Sequence, residues 1–287
     1  MIFLAHVKPD PPKEFGPQLA KDDSAFEQQK KLKDARQHIK SFPKNKLKSK
    51  DFKNLWGAYK SIFIEAQFKG KCAYCEDRIV AAYPGDVEHY RPKAEVAHYS
   101  RRGNRNDYEG SPNRGRKIID HKPGYWWLAF DWNNWLLACK KCNSSWKANQ
   151  FPVQKMVLKL QPGVEQSEDP LLINPFLKDP QGHFKYWETG KIEAATNEGQ
   201  ASINVCGLDR SSLISERERI ASSLMKHLDD LEYYQETQNR EGVRRTINHL
   251  WDFCKDEARF AGMARYLVEE NGILWDDLRS IFQNSGH

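Results

Sequence analysis

Four cysteines fall in two C-x-x-C pairs, Cys72-Ala-Tyr-Cys75 and Cys139-Lys-Lys-Cys142. Each such turn points two thiolates at one ion, and four thiolates complete a tetrahedron around zinc with no open position. A site of that kind is structural, so metal binding becomes part of the folding free energy. Between the pairs lie 63 residues, more than a compact zinc ribbon spans, so the ion must close a substantial structure. Within that interval stands Asp86-Val87-Glu88-His89-Tyr90-Arg91-Pro92-Lys93. An imidazole, with an unperturbed pKa of about 6.5, suits a general base. Neighbouring residues of a strand point to opposite sides, so one of Glu88 and His89 can bind a cation while the other faces the path of a nucleophile. Asn134 precedes Cys139, and Asn143 and Lys147 follow Cys142. The carboxylate and carboxamide oxygens of Glu88 and Asn143 suit Mg²⁺ or Mn²⁺ better than zinc. His98 and His121 are alternative ligands by residue type alone.

The order C-x-x-C, Glu-His-x-x-Pro, Asn-x-x-x-x-C-x-x-C-Asn-x-x-x-Lys resembles an HNH endonuclease with zinc knuckles over about residues 70–152. The resemblance implies a ββα-metal core. It implies His89 as the base that takes a proton from water, and Asn134 as the residue orienting that imidazole and the turn. Glu88 and Asn143 are then ligands of a catalytic Mg²⁺ or Mn²⁺, while Cys72, Cys75, Cys139 and Cys142 hold structural zinc. Arg91, Lys93 and Lys147 are the expected phosphate contacts. Glu88 and Asn143 depart from the commonest residue types of that motif, yet each keeps a ligand oxygen. Longer phrases, VEHYRPK, GYWWLAFDWNNWLLACKKCNSSWKANQFP, LLINPFLKDPQGHFKYWETG and GLDR, are similar to the HNH subunit of Septu-type antiphage systems, also found beside some retrons. That narrower resemblance implies a nuclease acting on DNA or RNA, tRNA included, in a complex with an ABC-type ATPase subunit. A zinc-stabilised nucleic-acid-binding or scaffold subunit without cleavage activity is the alternative.

The elements that must position these residues are partly readable. Residues 1–18 are Pro-rich, extended and then loop. Residues 24–41 and 51–68 read as helices, the second with Phe52, Leu55, Tyr59, Ile62 and Ala66 at helical spacing, Asp51 as N-cap and Gly70 as terminator. Residues 99–117 lack hydrophobic periodicity and read as a loop rich in Arg, Asn and Gly. Residues 124–138, dense in aromatics, read as half strand and half buried turn. Residues 182–196 read as a hairpin turning at Thr189-Gly190. From Ser211 onward Leu213, Ile220, Leu224, Leu228 and Leu231 form a helical stripe, with one or two further helices carrying Val243, Ile247, Leu250, Phe253, Phe260, Ala264 and Leu267.

The expected fold is therefore α+β, mostly helical, with a central zinc-stapled core. Residues 1–69 form an extended segment and basic helices, and residues 70–155 the nuclease core with a basic insertion at 95–122. Residues 156–287 form a hairpin and a helical region that binds the partner. Net charge is +6 over 287 residues, but unevenly placed. Residues 30–60 carry eleven Lys/Arg against two Asp, whereas residues 209–287 carry eleven against fifteen Asp/Glu. The basic front suits a polyanion and the acidic back a protein. The start MIFLAHVKPDPP does not read as a secretory leader, and no run approaches the roughly 20 apolar residues of a membrane helix. A cytoplasmic location, with thiols reduced and no membrane partner, is the expectation.

Overall fold

The computed structural model describes residues 1, 8–43, 47–66, 70–79, 85–99, 118–154 and 161–283. Helices α1 (Phe26–Ser41) and α2 (Lys60–Ala66) come first, then strands β1 (Asp86–His89), β2 (Glu95–Tyr99), β3 (Ile118–Pro123) and β4 (Trp135–Ala138). A short hairpin of β5 (Phe184–Tyr186) and β6 (Ile192–Ala194) leads into helices α3 (Asn197–Cys206), α4 (Ser211–Glu236), α5 (Arg240–Cys254), α6 (Ala261–Glu270) and α7 (Trp275–Gln283). The result is a mostly helical α+β protein. Among the described residues no helix is long and apolar enough to cross a membrane.

The centre is the antiparallel pair β1–β4, in which Val87 faces Leu137, Glu88 faces Leu136 and His89 faces Trp135. All four residues of β4 are buried. Their side chains alternate between two cores, which is why Trp-Leu-Leu-Ala reads as an unbroken apolar run. Trp135 and Leu137 join Tyr59, Phe63, Val87 and Trp132 on one face. Leu136 and Ala138 join the knuckle residues and the C-terminal helices on the other. Helix α1 adds Leu32, Ala35 and Ile39 to a third cluster with Phe52 and Phe130.

Segment 51–68 departs from the expected single helix. Asp51 ends a 3₁₀ turn, Ser49–Asp51, and its carboxylate accepts from the Lys48 amide rather than opening a helix. The chain turns helical only after Asn54, whose side-chain oxygen accepts from the Gly57 amide at 3.2 Å. Helix α3 was not readable: it lacks a long apolar stripe, and its signal is the Thr196 cap accepting from the Gly199 amide. Among the described residues the helical tail carries four helices from Ser211 on, because residues 255–260 and 271–274 interrupt the apolar periodicity. Helix α4 runs 26 residues and buries Arg217 and Ala221 beside the expected leucines.

Strands β2 and β3 pair antiparallel from Glu95↔Pro123 to Tyr99↔Ile118, so the basic insertion is bracketed by a ladder. The Arg-rich segment itself lies outside the described residues, as do the side chains of His98 and His121.

Candidate metal centre and catalytic cleft

The two knuckles meet at the end of β4. The Ala73 amide donates to the Leu137 carbonyl at 3.0 Å, stitching the first knuckle to the strand that delivers Cys139. Each knuckle closes on itself: the Glu76 amide donates to the Cys72 carbonyl and the Asn143 amide to the Cys139 carbonyl, each at 2.9 Å. Glu76 takes a positive φ of 59° to make its turn. All six cysteines are unbridged. The sulfurs of Cys72, Cys75, Cys139 and Cys142 lie within 4.8 Å of one another, and Cys75 and Cys139 are 3.9 Å apart. A zinc–sulfur bond of about 2.3 Å in a tetrahedron requires sulfurs about 3.8 Å apart, so the donor set fits zinc. Four thiolates around Zn²⁺ carry a net charge of −2, and a cation is at hand. Arg210 Nη1 donates to Cys142 Sγ at 3.4 Å and to the carbonyls of Cys206 and Gly207. Arg210 is the last residue of the GLDR phrase, the only sequence signal for this role.

Behind the second knuckle the chain winds into a π-type turn, Lys141–Lys147, closed by the Ala148 amide donating to the Asn143 carbonyl. Trp146 of this turn lies flat against Gly207, where a Cβ would come within 2.0 Å of the indole and where φ is +58°. Only glycine satisfies both demands, so the helical region docks on the knuckle through one backbone position.

A cleft of about 240 Å³ opens beside β1, at an edge left unpaired among the described residues. Asn54, Trp56 and Lys60 form one wall; Asp86, Glu88, His89, Lys93 and Asn143 form the other. Glu88 and His89 keep to opposite faces of the strand as expected, but the cleft wraps the strand edge and reaches both. On one face His89 sits between Trp56 and Trp135, with ring centroids 4.6 Å and 6.2 Å away. On the other face Glu88 forms an ion pair with Lys147.

The His89 ring has a defined tautomer. Nε2 lies 2.9 Å from the Ala129 carbonyl, which can only accept, so Nε2 carries the hydrogen and Nδ1 the lone pair. Lys93 Nζ stands 3.5 Å from Nδ1 and 4.5 Å from the centre of the Trp56 ring. Burial, and then the Lys93 charge, hold the His89 pKa well below its ordinary value. The imidazole is therefore neutral near pH 7, the state a base requires. Burial also lowers the Lys93 ammonium to about 8.

Asn134 acts at one remove from that ring. Its oxygen accepts from the Arg91 amide at 2.8 Å, and its nitrogen donates to the carbonyls of Arg91 and Leu128. It clips the end of β1 to the turn carrying Ala129, whereas the imidazole is oriented by the Ala129 carbonyl itself. That carbonyl also accepts from Trp135 Nε1 at 3.1 Å, and Arg36 braces the next one, that of Phe130, at 2.7 Å. A backbone acceptor leaves no mark in residue type, so the sequence could not announce it.

Two of the expected phosphate contacts face inward. Lys147 is wholly buried, donating to the His89 carbonyl at 3.0 Å and pairing with Glu88. Arg91 is buried between the Tyr125 and Phe151 rings and pairs with Glu168. Neither reaches the surface a phosphate would occupy; both cations are committed to interior carboxylates. Lys93 borders the cleft. Glu88 Oε1 has no partner in hydrogen-bond geometry despite the nearby ammonium. With Asn143, which lines the same cleft, it offers oxygen donors suited to a hard divalent cation.

Fold and site together define a mostly helical α+β protein built around a four-cysteine cluster whose geometry fits zinc, with an ionisable cleft on the central strand. No protein-family model matches the chain. It is 32% identical over 229 residues to Septu protein PtuB from Bacillus mycoides (strain KBAB4), covering 74% of this chain and 70% of that protein. The chain belongs to the Septu PtuB family. It is also 29% identical over 162 residues to Septu protein PtuA of the same strain, a match that covers 56% of this chain and 20% of that protein.

Proposed function

We propose that the chain is an HNH endonuclease subunit, hydrolysing phosphodiester bonds of DNA or RNA in a Septu-type antiphage complex with a PtuA-type ABC ATPase. In this reading β1, β4 and the turn Lys141–Lys147 form the ββα-metal unit. The observation that carries it is the His89 ring, tethered through Nε2 to the Ala129 carbonyl with Nδ1 left as the accepting nitrogen, in the same cleft as Glu88 and Asn143.

His89 Nδ1 takes a proton from water, the water oxygen bonds to phosphorus, and the bond from phosphorus to the 3′ oxygen breaks. Glu88 and Asn143 would hold a Mg²⁺ or Mn²⁺, which would supply charge stabilisation for the phosphorus centre and the departing oxygen; solvent water protonates that oxygen. Lys93 contacts phosphate. Asn134 positions the turn behind His89, and Arg91 and Lys147 hold the strand. In this reading residues 1–69 are an extended segment and basic helices, residues 70–155 the nuclease core with a basic insertion at 95–122, and residues 156–287 a hairpin and helical region that binds the partner.

The test is cleavage of supercoiled plasmid and of tRNA by the full chain reconstituted with its ATPase partner, with Mg²⁺ or Mn²⁺, wild type beside His89→Ala. A loss of about 10²–10⁴-fold in the variant is expected, the usual contribution of a general base. Equal cleavage by both proteins removes His89 from the chemistry. Salt-dependent retention of nucleic acid without any metal-dependent product identifies a binding subunit instead.

A further inference from the structure

The nitrogen that must accept water's proton is occupied by a cation. With Nε2 bound to the Ala129 carbonyl, Nδ1 is the one lone pair of His89, and Lys93 Nζ lies 3.5 Å from it. The ammonium rests on the face of Trp56, whose ring also stands edge-on to the imidazole. Among the described residues no carboxylate lies within ion-pair distance of Lys93. Its two partners, a neutral lone pair and a π face, are weak beside an anionic oxygen. A separation of 3.5 Å is at the long limit for a hydrogen bond, so the contact is readily exchanged.

We propose that Lys93 is a latch on the catalytic base: in the empty cleft it caps His89 Nδ1, and the scissile phosphate draws the ammonium away and so admits the attacking water. This rests on the nuclease reading above. It adds an order of events, since base activation then follows phosphate engagement and water entering an empty cleft meets a capped imidazole. Lys60 lines the same cleft and offers the phosphate a second cation beside Lys93. The role is one of positioning: no proton passes through Lys93, and the hydrolytic balance is unchanged.

The experiment is long-range ¹H–¹⁵N correlation of the full chain labelled with ¹⁵N-histidine, with inorganic phosphate as the probe. His89 is assigned by its loss in His89→Gln. In wild type the His89 Nδ1 signal is expected at a shielded position, as an acceptor, and to move downfield as phosphate is added. Lys93→Met is expected to start at the downfield position and not respond. The wild-type titration needs only the His89→Gln assignment, so it stands even if Lys93→Met folds poorly. An Nδ1 signal indifferent to phosphate in wild type, or identical in the two proteins, overturns the latch. In cleavage assays Lys93→Met is expected to raise KM roughly tenfold or more, as loss of a charge-assisted contact does, with a smaller effect on kcat. A KM left unchanged also overturns the proposal. Failure of the nuclease reading is seen separately, as absence of cleavage by wild type whatever the spectra show.

Discussion

Arg210 reaches from the start of α4 to within 3.4 Å of the Cys142 sulfur, joining the helical region to the metal centre by a charge. Groups that hydrogen-bond a metal's ligands typically change its affinity 10–100-fold. Arg210→Met is therefore expected to release zinc to a chromogenic chelator about tenfold faster or more than wild type. Metal analysis of wild type is expected to give one zinc per chain. Release at the wild-type rate would show that the guanidinium serves only the carbonyls of Cys206 and Gly207.

Lys147 and Glu88 form an ion pair in which the lysine has no exposed surface and the glutamate is 6% exposed. Removing one partner of a buried pair leaves an uncompensated charge and costs about 3–5 kcal/mol. Lys147→Met should lose that much stability in urea denaturation. Adding Glu88→Gln should recover a large part of the stability while cleavage stays lost. A double variant as unstable as the single one would mean that the lysine acts through the His89 carbonyl rather than through the carboxylate.

For Asn134, three hydrogen bonds tie the residue to Arg91 and Leu128. Truncation to Ala leaves buried backbone groups unpaired, at about 2–4 kcal/mol in total. Because Asn134 touches the turn and not the substrate, the expected kinetic signature is a fall in kcat with KM unchanged. A KM change alone would place Asn134 in substrate binding.

The pH dependence follows from His89, whose folded-state pKa is depressed below 6.5 by burial and by Lys93. Unfolded His89 takes up a proton as pH falls through 6.5, while the folded ring stays neutral until its lower pKa is reached. The folded state thus binds fewer protons in that window, and the stability it has above pH 6.5 is lost as pH falls through it. Cleavage should hold its plateau below pH 6.5 and fall only near the depressed value, where the base itself is protonated. His89→Gln should lack this part of the acid-side destabilisation, and urea midpoints at pH 7.5 and 5.5 make the comparison. A wild-type rate that falls by half at 6.5 would show an ordinary, solvated histidine.

What could be read before any coordinates were local. The knuckle cysteines declare themselves by spacing, the buried strand Trp135–Ala138 by its apolar run, and the hairpin by Thr189-Gly190. The long stripe of α4 is equally plain. What could not be read depends on contacts across space. Lys147 looks like a surface lysine until the fold supplies Glu88 beneath it. Ala129 matters for its carbonyl, which every residue has. Segment 51–68 carries a helical stripe, yet Asn54 captures the Gly57 amide and delays the helix. Trp146 explains Gly207 only once the knuckle and the α3–α4 junction are brought together.

One feature of the sheet bears on how such proteins diversify. Tyr99 and Ile118 are partners across the β2–β3 ladder, so the two strand ends that the Arg-rich segment joins are held at adjoining points. Whatever stretch joins those points can lengthen, shorten or change its charge without moving the strands that carry it. A change in that stretch therefore leaves the β1–β4 pair and the four-cysteine cluster where they are.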